Sequence, residues 1–273
     1  MRKPFRYLVF LENFYIFTRI NYKICKFFKS YYMDAKDQLR ELYSSKWVQL
    51  SSAMRPIVEG SNYSIKPTNP LLLWPCLGDD EYDNADIRVM ILGQETNNWY
   101  GTFNPNTDNN EEIEKIFEFY NEFFNVDQSY RSHFWNGFNL FRKMLDKKFP
   151  DKNIRYAWNN VVKIGKASQK GFPPDYIYNI EQTYFRVLDD EINILKPHII
   201  LFLTGPNYDN CIKDKLGEIH FKQISPFTFR EIAELDINGV NFAFRTYHPN
   251  YLYRQGKGVI NRFFKTIIDK IVL

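Results

Sequence analysis

The chain has 273 residues, which fits one or two domains, and 44% of them are apolar, enough for a large core. Its three cysteines, Cys25, Cys76 and Cys211, lie far apart and form no CxxC pair, so we expect no zinc or iron–sulfur site and no other cofactor. The net charge is only +4, so any affinity for nucleic acid must come from a local patch rather than from overall charge.

The first 32 residues differ from the rest of the chain. They contain seven Lys and Arg side chains against one acid, Glu12, whereas the remainder carries 29 basic and 31 acidic residues. The apolar run Tyr7–Phe17 is too short and too polar for a membrane span, and no signal-peptide cleavage site follows it. A docking helix, a basic arm that touches DNA or membrane, and an extension from an upstream start codon stay open, and we favour the last. We therefore divide the chain into an extension, residues 1–33, and one domain, residues 34–273, that begins at a candidate helix cap, Asp34.

Apolar periodicity predicts the elements of this domain. In chain order we expect a helix at 34–50, a strand at 88–92, helices at 113–120 and 134–145, a strand at 157–164, a helix at 184–195, a strand at 199–203, irregular chain with antiparallel pieces at 218–244, a strand at 242–245 and a helix at 259–271. Short apolar strands that alternate with helices predict a parallel sheet covered on both faces. The expected fold is an α/β, three-layer α/β/α sandwich around a central, mostly parallel four-stranded sheet.

Polar residues cluster where the predicted strands end. Ligands of an open parallel sheet bind beyond the carboxyl ends of its strands, so these residues mark the candidate site. They are Gly93, Gln94 and Glu95 after the first strand, Asn159 and Asn160 in the second, Thr204 and Gly205 after the third, and His248 and Asn250 after the last. No Ser-His-Asp order, P-loop or GxGxxG pattern accompanies them, which weakens predictions of acyl transfer, NTP hydrolysis and hydride transfer.

Three of these segments resemble motifs of the uracil-DNA glycosylase superfamily, and they occur in the family's order. The first segment, Gly93-Gln94-Glu95, is similar to a water-activating motif that begins Gly-Gln-Asp. The second, Asn160-Val161-Val162-Lys163, is similar to the run that holds the family's base-reading Asn. The third, Thr246-Tyr247-His248-Pro249 with Leu252 and Arg254, is similar to the His-Pro motif and its DNA-intercalating loop. The likeness covers about residues 66–272 and is weak between the motifs. Because each motif is short, their shared order carries the specificity.

The resemblance implies a monofunctional DNA base glycosylase without a metal. Such an enzyme flips uracil or another modified base out of the DNA and hydrolyses its N-glycosidic bond with a carboxylate-activated water. Glu95 would stabilise the sugar cation and orient the water, as carboxylates do in glycosidases. His248 would donate a hydrogen bond to the departing base. The base would be bound by the backbone of Gly93 and Gln94 and by the side-chain amide of Asn160.

The resemblance also implies a DNA-binding surface around the His-Pro motif. The residues expected to contact DNA are Asn250, Leu252, Arg254 and Lys257, with Leu252 as the wedge that enters the duplex. Three further cations follow in the chain, Arg262, Lys265 and Lys270. Together with Arg254 and Lys257 they form a predicted basic patch. We expect a monomeric, cytoplasmic DNA-repair enzyme that binds DNA and no membrane.

The chain differs from the family's usual motifs in ways that bear on its substrate. Glu95 stands where Asp or Asn is common, and Thr96-Asn97 replaces Pro-Tyr or Pro-Gly. In members that carry it, the Tyr blocks the methyl group of thymine, so the identity of the base stays open here. Trp99 and Phe103 could stack on a flipped base, but in a chain with 18% aromatic residues we expect both to pack in the core.

Alternative roles stay open for three residues. A carboxylate that follows a strand is often a helix N-cap, which is the alternative for Glu95. Asn160 can instead satisfy loop backbone, and Asn159 can exchange roles with it. His248 can be a core histidine whose polar atoms are satisfied internally.

Two alternative functions use the same fold. One is a non-catalytic module that binds nucleic acid or nucleotides, and the other is a glycosidase that acts on small nucleosides. A DNA enzyme needs a wedge and a phosphate-binding strip, which a nucleoside enzyme does not. A pure binder would tolerate the loss of Glu95 without functional change.

Overall fold

The computed structural model of the protein describes residues 33–75, 82–106, 109–127 and 130–272, so the predicted extension lies outside the described residues except for Met33. The α-helices in these ranges are α1 (Ala35–Glu59), α2 (Asn109–Tyr120), α3 (His133–Lys148), α4 (Asp175–Tyr184), α5 (Leu188–Leu195), α6 (Asp209–Leu216), α7 (Pro249–Arg254) and α8 (Val259–Lys270). The strands are β1 (Ile87–Asn97), β2 (Ile154–Lys166), β3 (Ile199–Phe202), β4 (Phe221–Gln223), β5 (Ile232–Leu235) and β6 (Phe242–Thr246). A π-helix covers Asn121–Val126 and a 3₁₀ turn covers Pro206–Tyr208.

The fold is α/β, as predicted, but the sheet is larger than expected. It has six strands in the order β2-β1-β3-β6-β5-β4, so the prediction of four strands is wrong. The four predicted strands form its parallel part, and β5 and β4 continue it antiparallel beyond β6. The two added strands are the antiparallel pieces expected within 218–244, and with only four and three residues they are too short for an alternating pattern to define their bounds.

The parallel strands are buried because helices cover the sheet, and this explains their unbroken apolar runs. Every residue of β3 is buried, as are Val89 to Leu92 of β1. The predicted stripe of α1 faces the core, and the helix extends beyond residue 50 because Met54 and Ile57 continue that stripe. Asp34 caps α1 as predicted, since its carboxylate accepts a hydrogen bond from the backbone of Asp37 at 2.8 Å.

Helix contacts fall into two groups. Helix α1 packs against α2, α4 and α5, whereas α3 packs against α7 and α8. The close approach of α3 and α7 depends on Gly137, because a Cβ there would overlap the Pro249 ring. The predicted helix over 184–195 is interrupted between α4 and α5, where the Phe185 ring enters the core and stacks on Tyr43 with centroids 6.0 Å apart.

The described residues show three further features. Trp99 and Phe103 are both buried in the core, as expected. Cys211 is a buried free thiol, whereas Cys25 and Cys76 lie outside the described residues. None of the helices in the described ranges has the length and apolar composition of a membrane span.

Candidate active site

Gly93 and Asn160 lie side by side on neighbouring parallel strands. They are register partners on β1 and β2. A Cβ added at Gly93 would lie 2.5 Å from Asn160 Oδ1 and 3.1 Å from the ring of Phe134. The missing side chain of Gly93 is therefore what allows the Asn160 amide and the Phe134 ring to approach the same point of the backbone.

The two neighbouring asparagines of β2 have different environments because adjacent strand residues point to opposite faces. Asn159 is fully buried, and its Nδ2 donates to Glu191 at 3.0 Å. Its Oδ1 accepts hydrogen bonds from the Lys163 ammonium and, at 2.7 Å, from the Asn160 backbone. Within the described parts of the chain, no residue hydrogen-bonds the Asn160 side-chain amide. Asn160 is thus the asparagine that can pair with a ligand, and Asn159 helps to hold its backbone in place.

Glu95 lies inside β1, two residues before the strand ends, and this rules out the alternative that it caps a helix. One of its carboxylate oxygens, Oε2, accepts a hydrogen bond from the Tyr208 hydroxyl. Burial raises the pKa of Glu95 above its usual value, while the hydrogen bond from Tyr208 and the positive charge of Lys166 lower it. A half-buried carboxylate whose pKa is raised by desolvation is a typical environment for a general base.

Tyr208 is held by the buried ion pair that follows it in the chain. Its neighbour Asp209 accepts two hydrogen bonds from Arg245, at 2.8 and 3.0 Å, in the bidentate geometry that orients both groups. Arg245 is fully buried and also donates to the carbonyls of Arg230 and Phe229, each at 2.9 Å. Sequence reasoning missed Tyr208, and its only signal was its position just after the third predicted strand.

Gln94 connects the ends of two strands. Its side-chain Nε2 donates to the carbonyl of Thr204 at 2.8 Å, which joins the end of β1 to the loop after β3. The same loop reaches the last strand, because the Gly205 backbone N–H donates to the Thr246 carbonyl at 2.9 Å. The Gln94 side chain is therefore engaged, and its contribution to ligand binding would come from its backbone.

His248 presents a neutral imidazole with a defined donor. Its Nδ1 accepts a hydrogen bond from the Asn250 backbone at 3.2 Å, so the proton of the neutral ring belongs on Nε2. Burial, with a smaller contribution from His133, lowers the pKa of His248 to about 4. The ring stacks on Phe134 with centroids 6.0 Å apart. Phe134, predicted only as part of a helical stripe, thus bridges Gly93 and His248.

The predicted DNA-contacting loop is partly helical. The Leu252 side chain is 0% exposed within this helix, α7, so the structure does not present it as the predicted intercalating wedge. Arg254 and Lys257 are exposed, as a phosphate contact requires. Asn250 uses its backbone carbonyl to accept a hydrogen bond from Arg254 Nε at 3.3 Å. The exposed aromatic residue of this helix is instead Tyr251.

Two cations of the outer part of the basic patch contact other side chains of the protein. Lys265 forms a salt bridge with Asp269 at 2.6 Å, and the Arg262 guanidinium lies 5.3 Å from the Phe227 ring centroid. Lys270 is exposed at the end of α8. Arg254 and Lys257 are thus the cations of this patch nearest in sequence to His248.

The described residues contain no group of three or more His, Cys, Asp or Glu side chains placed to hold a metal ion. A scan against protein-family models and a search of the curated proteins both find no match to this sequence.

Proposed function

We propose that this chain is a monofunctional DNA glycosylase of the uracil-DNA glycosylase type, which hydrolyses the N-glycosidic bond of a flipped-out base. In this proposal the two helix groups cover the two faces of the sheet as an α/β/α sandwich. The observation that carries the proposal is the unpaired Asn160 amide, which faces Gly93 beside the Phe134 ring. A flat, polar ligand such as a nucleobase matches an aromatic face, a bare backbone and a free amide.

The base would be bound through its face and its polar edge. The Phe134 ring offers a stacking surface, and the Asn160 amide offers one acceptor and two donors, which can pair with the O4 and N3–H of uracil. The Gly93 backbone can approach the base closely because no Cβ intervenes. An adenine-like edge needs a different donor and acceptor pattern, so Asn160 would contribute to selection of the base.

Bond cleavage would leave positive charge on the sugar and negative charge on the base. As the bond between C1′ and the base nitrogen breaks, its electron pair leaves with the base. The neutral His248 would donate from Nε2 to the base oxygen that gains this charge. The Glu95 carboxylate would stabilise the sugar cation and accept a proton from the water that attacks C1′.

Water is the nucleophile in this proposal, because Lys163, the lysine of the base-reading segment, is engaged in a salt bridge. Lys163 is fully buried, and its ammonium forms a salt bridge with Glu191 at 2.7 Å. It also donates to Asn159, which supports the Asn160 backbone. A Schiff-base mechanism would require a free amine that reaches the sugar.

The choice of base is a separate part of the proposal. Thr96 is buried and its hydroxyl lies 3.2 Å from that of Thr68, while the Asn97 side chain is exposed at the end of β1. These two residues stand where the family's thymine-blocking Tyr would be, so bases with a substituent at C5 belong among the candidate substrates.

The test is an excision screen with the full chain. Oligonucleotides would carry uracil, deaminated purines, mismatched thymine or bulky C5-modified pyrimidines, and abasic sites would be detected by alkaline cleavage. We expect excision of at least one base, with no cleavage of the sugar–phosphate backbone before alkali treatment. If no oligonucleotide is cut although DNA is bound, the non-catalytic module replaces the glycosylase proposal.

A further inference from the structure

Two exposed aromatic side chains lie beside the candidate site, one next to each helix group, and we propose that they stack on unpaired nucleotides that flank the target base in single-stranded DNA. The two residues are Phe172 and Tyr251, each 39% exposed. This inference rests on the proposed function, because it concerns the DNA that the same site would bind.

Phe172 is connected to the Glu95 side of the site. It lies in the loop between β2 and α4, and its ring centroid is 5.9 Å from that of Tyr208, whose hydroxyl donates to Glu95. On its other side it packs at 4.9 Å against Tyr178 of α4. Lys166 is the last residue of β2, and its ammonium lies 3.7 Å from the position that a Cβ would take on Gly171, the residue before Phe172, so a cation accompanies the aromatic ring.

Tyr251 is connected to the His248 side of the site. It lies in the first turn of α7, where its backbone N–H donates to the His248 carbonyl at 2.8 Å. Its ring packs against that of Tyr247, the residue that precedes His248, with centroids 4.4 Å apart and the planes tilted by 38°. Arg254 and Lys257 are exposed in the chain that follows. Both ends of the site therefore combine a supported aromatic ring with cations.

This combination fits single-stranded DNA better than a duplex. Proteins that hold single strands pair cations for the phosphates with aromatic rings for the bases, since every base has a face on which to stack. In a duplex the base faces are covered by neighbouring base pairs, so a protein must insert an apolar wedge to open the stack. The predicted wedge, Leu252, is fully buried.

The ring positions also match the expected path of the strand. The sugar of the target nucleotide would lie at Glu95 and its base near His248, so its neighbours would continue outward past these residues. Phe172 contacts the tyrosine that holds Glu95, and Tyr251 hydrogen-bonds the backbone of His248. Phe172 is thus connected to Glu95 through Tyr208, and Tyr251 is connected directly to the backbone of His248.

The experiment measures binding of the full chain to a fluorescein-labelled oligonucleotide of normal bases, either single-stranded or annealed to its complement. We expect the single strand to bind at least about tenfold more tightly, and Phe172→Ala and Tyr251→Ala each to weaken single-strand binding by about tenfold with little effect on the duplex. The matched control is Tyr184→Ala, a 37% exposed aromatic residue at the far end of α4, which should leave both affinities unchanged. Equal affinity for the two forms, no DNA binding, or unchanged binding by both variants would overturn the proposal.

The excision screen separates this inference from the proposed function. If no base is excised but single strands are bound with the expected loss in both variants, the glycosylase proposal fails and the stacking sites stand. If a base is excised from duplex and single-stranded DNA at equal rates, and both variants bind as the wild type does, the glycosylase proposal stands and this inference fails.

Discussion

The hydroxyl of Tyr208 donates a hydrogen bond to Oε2 of Glu95, which joins the loop after β3 to the end of β1. One carboxylate oxygen, Oε2, is thereby held at the Tyr208 hydroxyl. In the proposed mechanism Tyr208 would be a positioning residue, because it would act on the substrate only through Glu95. The bidentate pair of Arg245 with Asp209 supports it from the following residue.

Tyr208→Phe should change the pH dependence of the reaction. The hydrogen bond stabilises the ionised carboxylate and opposes the rise in the pKa of Glu95 that burial causes. Its removal should raise this pKa further, so the acidic limb of the single-turnover pH profile should move to higher pH and activity should recover on the alkaline side. Tyr178→Phe is the control, because that hydroxyl donates to Asp214 instead. If the variant is slower at every pH but its pH profile keeps the wild-type shape, Tyr208 has only a structural role.

Glu95→Gln should remove the chemical step and retain binding. The amide preserves the size of the side chain and its hydrogen bond to Tyr208, but it carries no charge and cannot accept a proton from water. We expect the single-turnover rate to fall about a hundredfold or more, with DNA affinity within about twofold of the wild type. Glu218→Gln, a change at an exposed carboxylate, is the control. Excision by Glu95→Gln at the wild-type rate would contradict the catalytic assignment.

His248 should remain neutral throughout the physiological pH range. Because its pKa is lowered to about 4, it gains a proton only in acid, well below the usual range of histidine. Nitrogen NMR of the imidazole should show the Nε2–H tautomer at neutral pH and protonation near pH 4. His248→Ala should slow excision about a hundredfold by removing a hydrogen-bond donor, whereas His220→Ala should not. A titration of His248 near the ordinary histidine pKa would show that the ring is not the buried neutral donor proposed.

Gly93→Ala should reduce activity because the added methyl group displaces the Asn160 side chain, and not because the protein fails to fold. The added methyl group would lie 2.5 Å from Asn160 Oδ1 and must displace the amide. We expect a loss of stability of about 1–3 kcal/mol from overpacking and a loss of excision as large as that of Asn160→Ala. Since both changes remove the same interaction, the double variant should be no slower than either single one. Additive losses would mean that Gly93 and Asn160 act independently.

Arg254→Ala combined with Lys257→Ala should weaken DNA binding with little dependence on sequence. Each exposed cation that contacts a phosphate releases counterions, so the slope of log affinity against log salt should become shallower by about one to two units. Lys147→Ala combined with Lys152→Ala removes the same charge from an exposed part of the protein at the end of α3 and should leave the slope unchanged. An unchanged slope in the first double variant would place the DNA elsewhere.

Local patterns were sufficient for the parallel part of the sheet and for most of the helices. A strand buried on both faces is a continuous apolar run, as in Val89 to Leu92, and such a run is visible without any knowledge of its neighbours. The antiparallel pieces expected within 218–244 are β4 and β5, but their bounds were not predicted, because the pairing of β5 with β6 and of β4 with β5 defines them rather than their own pattern.

The sequence by itself determined which side chains reach the end of the sheet, since Glu95, Asn160 and His248 each belong to or directly follow a buried parallel strand. Only the tertiary structure decided how they are held and what surrounds them. Tyr208 is 113 residues from Glu95 in the chain, and Leu252 is buried by packing around α7 although its spacing from His248 suggested a wedge. Such contacts depend on the relative placement of whole elements, which no local pattern of residues encodes.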